Sequence, residues 1–318
     1  MQETHTGQHN QNPYRHSGPT PGRRRPGLKR QYLVVALVAV GISLLLSPPR
    51  EPVHQTEAAQ ALDGMPKVES QEALTIRLAQ NLGEGRIGIA TKDLETGEAF
   101  ELGADESFDA ASTTKLVIVG FMYHEASNNR FDLDEVLTLS PSEIQPYGTG
   151  VIHTRPAPHR YSWRELARLT MEKSDNTAAY VLANRLDKTQ LQRFADGQGL
   201  EDTSIADNTT TPGDLVHYLE RLYTGKVADE ILTEELLGIL DDSDFEERIP
   251  AQLPPETVVF HKTGDAFNGG QHDAGIVVYE NHPYVVAIFT EHVTGDVDLA
   301  RAKVAEASRD IFAYYLNR

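Results

Sequence analysis

Segments with the alternating pattern of β-strands occur near both ends of the folded part of the chain, and a long stretch with helical patterning separates them. Residues 86–102 predict a β-hairpin with a turn at residues 95–97. Three further strands are predicted at residues 258–263, 274–279 and 284–290. We therefore expect an α+β fold in which one antiparallel sheet, built from both ends, is covered by helices.

Helical periodicity dominates the region between the strands. Residues 112–240 predict a mostly helical stretch, and a last helix is predicted at residues 297–316. Apolar residues at helical spacing begin near Val68, so the folded domain is expected to span residues 68–318.

The sequence before the folded domain changes composition twice. A tail rich in Gln, Asn, His, Pro and Gly is expected to be disordered, and a run of fifteen uncharged residues and a polar linker follow it. The predicted boundaries are the tail at 1–30, the apolar segment at 31–47 and the linker at 48–67.

The apolar segment predicts either an uncleaved signal-anchor or a cleaved signal peptide. As a helix it spans roughly 22 Å, which is short of the ~30 Å hydrocarbon core and favours a signal peptide. The long basic leader and the distance to the first small-x-small site, at residues 59–61, favour a signal-anchor. Five Arg and Lys residues shortly before the segment, against Arg50 after it, place the N-terminus inside. Both interpretations put the folded domain outside the cell, either as a single-pass membrane protein or as a secreted one.

Charge and cysteine content exclude several classes of function. The net charge is −18, although the first fifty residues carry seven Arg and Lys against the single Glu3. The remainder is therefore so acidic that it would repel nucleic acid. The absence of cysteine excludes disulfides, thiolate metal sites and a cysteine nucleophile.

The tetrapeptide Ser112-Thr113-Thr114-Lys115 opens an apolar run that predicts a buried helix. Positions i and i+3 share a helix face, so the serine hydroxyl and the lysine amine can meet. A serine becomes nucleophilic when a base takes its proton, and a lysine serves as that base when burial or nearby positive charge lowers its pKa. The alternative is a helix N-cap at Ser112 with Lys115 in solvent.

A second motif carries groups suited to amide chemistry. Ser174-Asp175-Asn176 offers a hydroxyl for proton relay and a carboxamide for a substrate amide, or else is a simple helix terminus. Ser127-Asn128-Asn129 matches the same pattern, but it follows Ser112 too closely to fold back over it.

Lys262-Thr263-Gly264 ends a predicted strand. The lysine and the threonine can bind a carboxylate, and the glycine allows a substrate backbone to approach an edge strand. The next backbone N–H, that of Asp265, could form an oxyanion hole together with the N–H of Ser112. The alternative is a strand end followed by a turn.

The order and separation of the three motifs are more specific than any one of them. Ser174 lies 62 positions after Ser112, and Lys262 lies 88 positions after Ser174. This trio is the signature of class A β-lactamases and penicillin-binding proteins. Over roughly residues 68–318 the sequence resembles the class A β-lactamase-like serine hydrolases of the β-lactamase/penicillin-binding protein superfamily.

The resemblance implies an antiparallel sheet flanked by terminal helices, an all-helical subdomain, and an active site between them. It also implies a role for each catalytic residue. Ser112 would be the acylated nucleophile, Lys115 its general base or proton relay, and Ser174 the group that passes a proton to the leaving nitrogen.

Substrate binding follows from the same resemblance. Asn176 would hold the substrate side-chain amide, and Lys262 and Thr263 would bind its carboxylate. No metal or organic cofactor is expected, and the partners are a small-molecule substrate (a β-lactam or a cell-wall peptide) and, through the N-terminal segment, a membrane. A monomer is expected.

The sequence departs from the family in one segment. Class A β-lactamases carry an omega loop there, with a glutamate that positions the deacylating water. Here the segment GLEDTSIADNTTTP contains no glutamate followed four residues later by asparagine. Glu201, Asp202 and Asp207 are its only carboxylates, and each is a poor candidate for the base. Losing a positioned base typically costs ~10²–10⁴-fold in the step that it serves, so slow deacylation is expected.

The histidines lack zinc-hydrolase spacing, and they are expected at the surface and in turns. Tyr147 is a candidate for lining the cleft near Ser174 or an ordinary loop aromatic. The sequence therefore favours a serine hydrolase that forms an acyl-enzyme with β-lactams. A D,D-peptidase or amidase acting on cell-wall peptides, and a non-catalytic β-lactam or cell-wall sensor, remain as alternatives.

Overall fold

The computed structural model describes residues 62, 64–82, 85–293 and 295–316. The helices are α1 (Gln71–Leu82), α2 (Lys115–Ser127), α3 (Trp163–Glu172), α4 (Asn176–Arg185), α5 (Lys188–Gly197), α6 (Pro212–Tyr223), α7 (Glu230–Asp241) and α8 (Val297–Leu316). The strands are β1 (Arg86–Asp93), β2 (Ala99–Leu102), β3 (Phe108–Asp109), β4 (Val136–Thr138), β5 (Arg160–Ser162), β6 (Thr209–Thr210), β7 (Val258–Asp265), β8 (Gln271–Tyr279) and β9 (His282–Glu291).

Five strands form one antiparallel sheet in the order β2-β1-β9-β8-β7. The N-terminal hairpin pairs with the last strand, where Ile89 lies opposite Ile288. Strand β7 forms one edge, and there Lys262 lies opposite Ala274 of β8. The predicted α+β architecture, with a sheet built from both ends of the folded region, is confirmed.

Each face of the sheet contributes to a separate hydrophobic core. Successive residues of a strand point to opposite faces, so Ile89 belongs to the core under α1 and α8, while Ala90 belongs to the core shared with the helical subdomain. Along β7, Val259 and Phe260 divide in the same way. Lys262 therefore lies on the face of β7 that packs against the helical subdomain.

Polar caps set where the helices of the subdomain begin. Ser162 and Glu165 form a capping box at the start of α3, and Asp175 accepts a hydrogen bond from Ala178 N at the start of α4. Thr211 caps α6, which has Pro212 at its first position. Because each cap satisfies N–H groups that the helix leaves open, these residues fix where α3, α4 and α6 begin, and α4 begins with the candidate site residue Asn176.

The predicted elements agree with the structure, with small differences. The strand predicted at 258–263 continues to Asp265, and the helical region also contains the short pairs β3–β6 and β4–β5. The predicted tail and apolar segment lie outside the described residues, as does most of the predicted linker. Among the helices that the structure describes, none has the length and apolar character needed to span a bilayer.

Candidate active site

Ser112 lies in the serine turn, the short 3₁₀ helix Ala111–Thr114 that leads directly into α2. Ala111 has a positive φ of 47°, a conformation that non-glycine residues rarely adopt. Lys115 is the first residue of α2 and is only 6% exposed. The alternative interpretation of this motif, a surface cap with a solvated lysine, is therefore wrong.

The amine of Lys115 makes three polar contacts, all with uncharged acceptors. It lies 2.8 Å from the Ser174 carbonyl oxygen, 3.0 Å from the Ser174 Oγ and 3.0 Å from the Asn176 Oδ1. A neutral amine has two N–H groups and one lone pair. The two carbonyl-type oxygens can take both N–H groups, and the hydroxyl of Ser174 can then donate to the lone pair. This environment accepts either protonation state of Lys115.

Burial and a second cation favour the neutral state. Burial lowers the pKa of Lys115 well below its usual value, and the positive charge of Lys262 lowers it further. The carboxylates of Asp175 and Asp265 oppose this shift without reversing it. The structure thus supplies the condition under which a lysine can act as a base.

Ser174 is the point at which the two lysines converge. Its Oγ lies 3.0 Å from the Lys115 amine, to which it donates when that amine is neutral, and it accepts a hydrogen bond from Lys262 at 3.1 Å; the residue is 4% exposed. Its φ is 47°. Thr149 Oγ1 donates to its carbonyl oxygen at 2.7 Å, which helps to hold this unusual backbone conformation.

Asp175, to which the sequence assigned no role, positions its two neighbours. It is fully buried, and its Oδ2 accepts from the backbone N–H groups of Val151 and Ile152 at 2.6 and 2.9 Å. Gly150 has a φ of 118°, and a Cβ there would lie 2.4 Å from the Asp175 carboxyl carbon. Asp175 thereby ties the loop at 148–152 to the start of α4.

The same loop supports Asn176. Asn176 N donates to the Thr149 carbonyl oxygen at 3.0 Å. A Cβ on Gly148 would lie 2.1 Å from the Asn176 Nδ2, so the backbone of Gly148 packs directly on this amide. Tyr147 precedes Gly148 and is 70% exposed, and its role in the cleft stays a prediction.

Lys262 approaches the site from the edge strand β7. It is almost fully buried, and its Nζ donates to Ser174 Oγ and, at 2.9 Å, to the Thr263 carbonyl oxygen. The ring centroid of Phe245 lies 5.8 Å from the same amine. Burial and the nearby Arg248 guanidinium lower the pKa of Lys262 to about 7.

Gly264 makes room for the serine turn itself. A Cβ at this position would lie 3.1 Å from the Ala110 carbonyl oxygen, 3.1 Å from the Thr113 Cγ2 and 3.2 Å from the Ala111 Cβ. The sequence predicted a close approach of a substrate backbone at this glycine. The structure shows in addition that the glycine lets β7 pack against the turn that carries Ser112.

Asp265 ends β7 between two arginines. It forms an ion pair with Arg248, which is fully buried, and its Oδ2 lies 3.2 Å from Arg301. Burial opposes ionisation of this carboxyl, but the two guanidinium groups outweigh it and lower its pKa. Arg248 also donates to the His272 carbonyl oxygen at 2.8 Å. Sequence reasoning missed Arg248, because nothing local distinguishes a buried arginine from a surface one.

The expectation that the histidines lie at the surface is wrong for His261 and His272. His261 is 1% exposed and its Nδ1 lies 2.9 Å from Asp273 Oδ1. Burial opposes its charge, but Asp273 and Glu246 raise the pKa of His261 to about 9. His272 is packed against Phe289, and burial lowers its pKa to about 4. Both lie on strands that are covered on two faces, which the sequence pattern did not reveal.

The connection 198–211, which stands in place of the omega loop of the class A enzymes, exposes its three carboxylates to solvent. Glu201, Asp202 and Asp207 are all exposed, and Asp207 accepts a hydrogen bond from Ser204 Oγ at 2.8 Å. Among the hydrogen bonds of the described residues, none joins these three carboxylates to Ser112 or Lys115. Within the same described part of the chain, no group of three or more His, Asp or Glu could hold a metal ion.

The rejected motif Ser127-Asn128-Asn129 lies at the far end of α2. With a rise of 1.5 Å per residue, it is about 20 Å from Ser112. Its serine accepts a hydrogen bond from Asp229 N, and Asn128 bonds to the carbonyl oxygen of His124. The structure therefore joins Lys115, Ser174, Asn176 and Lys262 in one hydrogen-bonded cluster next to the turn of Ser112, and leaves this motif outside it.

Comparison with known proteins agrees with this geometry. The model of the beta-lactamase enzyme family matches residues 70–315. A beta-lactamase from Streptomyces fradiae is 25% identical over 293 residues, which cover 86% of this chain and 94% of the relative.

Solved structures give the same result. The structure of PBP-A is 26% identical, with a TM-score of 0.73, and the match covers 80% of this chain and all of PBP-A. A mutant of PBP-A, solved as an acyl-enzyme complex with penicillin G, is 25% identical with a TM-score of 0.71. The match covers 86% of this chain and the whole of the mutant chain. Because the family model matches residues 70–315, and because Lys115 and Lys262 meet at Ser174 beside the turn of Ser112, the chain belongs to the beta-lactamase enzyme family and is a class A β-lactamase-like serine hydrolase.

Proposed function

We propose that the protein forms an acyl-enzyme through Ser112 with β-lactams and releases the hydrolysed product slowly. The observation that carries the first part is the convergence of Lys115 and Lys262 on Ser174 Oγ, beside the turn that holds Ser112. The similarity to a protein solved as an acyl-enzyme with penicillin G supports the same chemistry.

The acylation step uses only side chains of the cleft. Lys115 takes the proton of Ser112 as the hydroxyl oxygen attacks the lactam carbonyl. The carbon–nitrogen bond of the lactam breaks, and the departing nitrogen receives a proton from Ser174, which is replenished from Lys115. Lys262 and Thr263 bind the substrate carboxylate, Asn176 binds the side-chain amide, and the N–H groups of Ser112 and Asp265 stabilise the oxyanion.

Slow release follows from the connection 198–211. Hydrolysis of the ester needs a group that removes a proton from water, and Glu201, Asp202 and Asp207 are exposed to solvent. Without a positioned base, deacylation is expected to be ~10²–10⁴-fold slower than in an enzyme that has one.

The experiment is a nitrocefin progress curve with the full-length protein, followed by mass spectrometry of the mixture. We expect a burst of about one equivalent, a slow steady phase, and a mass increase on Ser112. Ser112→Ala should abolish both the burst and the adduct. Rapid loss of the drug with no detectable adduct would show that another group activates the deacylating water.

The exposed carboxylates of the connection 198–211 equally favour a D,D-peptidase or amidase, which uses the same acylation machinery on a cell-wall peptide. Release of D-alanine from a D-Ala-D-Ala peptide at a rate above nitrocefin turnover would establish this second function. Acylation by the β-lactam with turnover of neither substrate would instead support a sensor.

The proposed location is outside the cell, where both substrate classes are found. The excess of basic residues before the apolar segment supports it. Protease treatment of intact cells should remove the folded domain if it is anchored, and the domain should appear in the medium if it is secreted. Light scattering of the purified protein tests the expected monomer.

A further inference from the structure

The connection 198–211 contributes an amide, rather than a carboxylate, to the surroundings of the serine turn. Asn208 lies at its end and contacts the backbone before Ser112 as well as the residue two positions after it. The carbonyl oxygen of Asn208 accepts from Ala110 N at 2.8 Å, and its Oδ1 accepts from Thr114 Oγ1 at 2.5 Å. The nucleophile is thus bracketed by two hydrogen bonds to one residue.

The donor side of the same amide reaches the most constrained part of the turn. Asn208 Nδ2 donates to Asp109 Oδ1 at 3.1 Å and, more weakly, to the Ala111 carbonyl oxygen at 3.3 Å. Asp109 Oδ1 also accepts from Ala111 N at 2.9 Å. Ala111, with its positive φ, is therefore held on both its N–H and its C=O immediately before Ser112.

Asparagine suits this position for a second reason. Asn208 has a φ of 56°, and asparagine is one of the few residues that adopt this conformation readily. Strand β7 closes the opposite side of the turn, because Gly264 lets it approach. Position 208 therefore needs a residue that adopts a left-handed conformation and carries both a donor and an acceptor.

We propose that Asn208 is a positioning residue for the acylation step. It holds the serine turn so that the hydroxyl of Ser112 faces Lys115 and the N–H of Ser112 faces the oxyanion. This inference rests on the proposed acylation of Ser112. A misplacement of about 1 Å costs on the order of 10²-fold in rate, so loss of this clamp should lower the acylation rate constant more than substrate affinity.

Three variants separate the parts of the clamp. Asn208→Gly keeps the left-handed backbone and its carbonyl oxygen but removes both arms of the amide. Asn208→Asp keeps an acceptor for Thr114 and places a second carboxylate against Asp109. The exchange Asp109→Asn with Asn208→Asp removes the like-charge contact of Asn208→Asp but does not rebuild the clamp, because a single oxygen, Asp109 Oδ1, accepts from both Ala111 N and Asn208 Nδ2 in the natural protein.

The measurement is the rate of labelling by a fluorescent penicillin, analysed for affinity and for the acylation rate constant. We expect the constant to fall by about tenfold in Asn208→Gly and about 10- to 100-fold in Asn208→Asp, and to recover in the exchange variant only to about the level of Asn208→Gly, because the like-charge contact is removed but the natural hydrogen bonds are not all restored. Asn129→Gly is the matched control, since Asn129 is an exposed asparagine with a φ of 55° at the end of α2.

A second reagent keeps this proposal distinct from the proposed function. A fluorophosphonate reacts with an activated serine when the oxygen attacks phosphorus, fluoride leaves and the base takes the proton. If penicillin does not label the natural protein but the fluorophosphonate does, the variants are compared with that reagent, and the proposed β-lactam chemistry alone fails. Labelling of the natural protein by neither reagent overturns both proposals.

A purely structural role would give a different result. The variants would then melt at lower temperature but label at the natural rate while folded, and the exchange variant would recover stability without changing the rate. That outcome, or equal labelling rates in all the variants, overturns the assignment of Asn208.

Discussion

The two walls of the cleft each hold a buried lysine, and they differ in the charges behind it. In the helical wall (Lys115, Ser174 and Asn176) the amine bonds to oxygens of Ser174 and Asn176, and in the strand wall (Lys262, Thr263 and Asp265) it bonds to oxygens of Ser174 and Thr263, all of them uncharged. Behind Lys262 lies the Arg248 guanidinium, paired with Asp265, whereas the cation that acts on Lys115 is Lys262 itself. Both lysines contact one hydroxyl, so the difference lies in these more distant charges.

This difference separates proton transfer from anion binding. Lys115 lies three positions after Ser112 and bonds only to neutral oxygens, so it can lose and regain its proton beside the nucleophile without leaving a carboxylate unpaired. In the strand wall, Asp265 is bound by Arg248 and Arg301, so its charge is already matched and Lys262 remains for the substrate carboxylate. Proteins assign acid–base roles by giving two groups of the same kind environments that shift their pKa values by different amounts.

Removing the amine of the helical wall should have the largest effect. We expect Lys115→Gln to lower the acylation rate by ~10²–10⁴-fold, because a positioned base is lost. The thermal midpoint should stay the same or rise, since a buried amine costs free energy that a buried amide does not. Labelling with a fluorescent penicillin and a melting curve measure the two quantities. Lys188→Gln, at an exposed position, is the control, and a full acylation rate in Lys115→Gln would remove the assigned base.

The charge of His261, which precedes Lys262 on β7, can be tested through the stability of the protein. The pKa of His261 is raised from an unfolded value of about 6.5 to about 9 by Asp273. A raised pKa contributes stability that is complete below pH 6.5 and lost as the pH rises through 9. The gap in unfolding free energy between the natural protein and His261→Gln should therefore shrink by about 3 kcal/mol from pH 6 to pH 10.

Denaturant unfolding at several pH values measures this gap. Lys262 titrates in the same range with the opposite sign, but it is present in both proteins and cancels in the comparison. A gap that is independent of pH would mean that His261 is neutral beside Asp273. Strand β7 would then carry no positive charge at the position before Lys262.

Removing the amine of the strand wall should affect substrate binding more than chemistry. A hydrogen bond to a charged group contributes about 1.5–3 kcal/mol, so Lys262→Gln should weaken the binding of a carboxylate-bearing β-lactam by roughly 10- to 100-fold. The methyl ester of the same β-lactam should lose far less. Equal losses for the acid and the ester would show that Lys262 acts mainly through Ser174 and does not bind the carboxylate.

The sequence was sufficient for the sheet, for the catalytic motifs and for their order, because alternation and short spacings are local properties. It was insufficient for His261, Arg248 and Asn208. Their roles depend on burial between layers and on contacts across 12 to almost 100 positions, such as the bond from Asn208 to Asp109. The same limit left Asp175 without a role, although its side chain holds the loop beside Ser174 and Asn176.

The smallest expected effect is on the pH dependence of kcat/KM, and it tests both walls at once. Activity should rise with pH as Lys115 becomes neutral and fall above about pH 7, where the pKa of Lys262 lies in the free enzyme, by up to tenfold per pH unit. Lys262→Arg should keep the acidic limb and lose the alkaline one, because a guanidinium stays charged throughout this range. If the alkaline limb persists in Lys262→Arg, the group that titrates there is not Lys262, and the assignment of Lys262 as the cation that activity requires would be wrong.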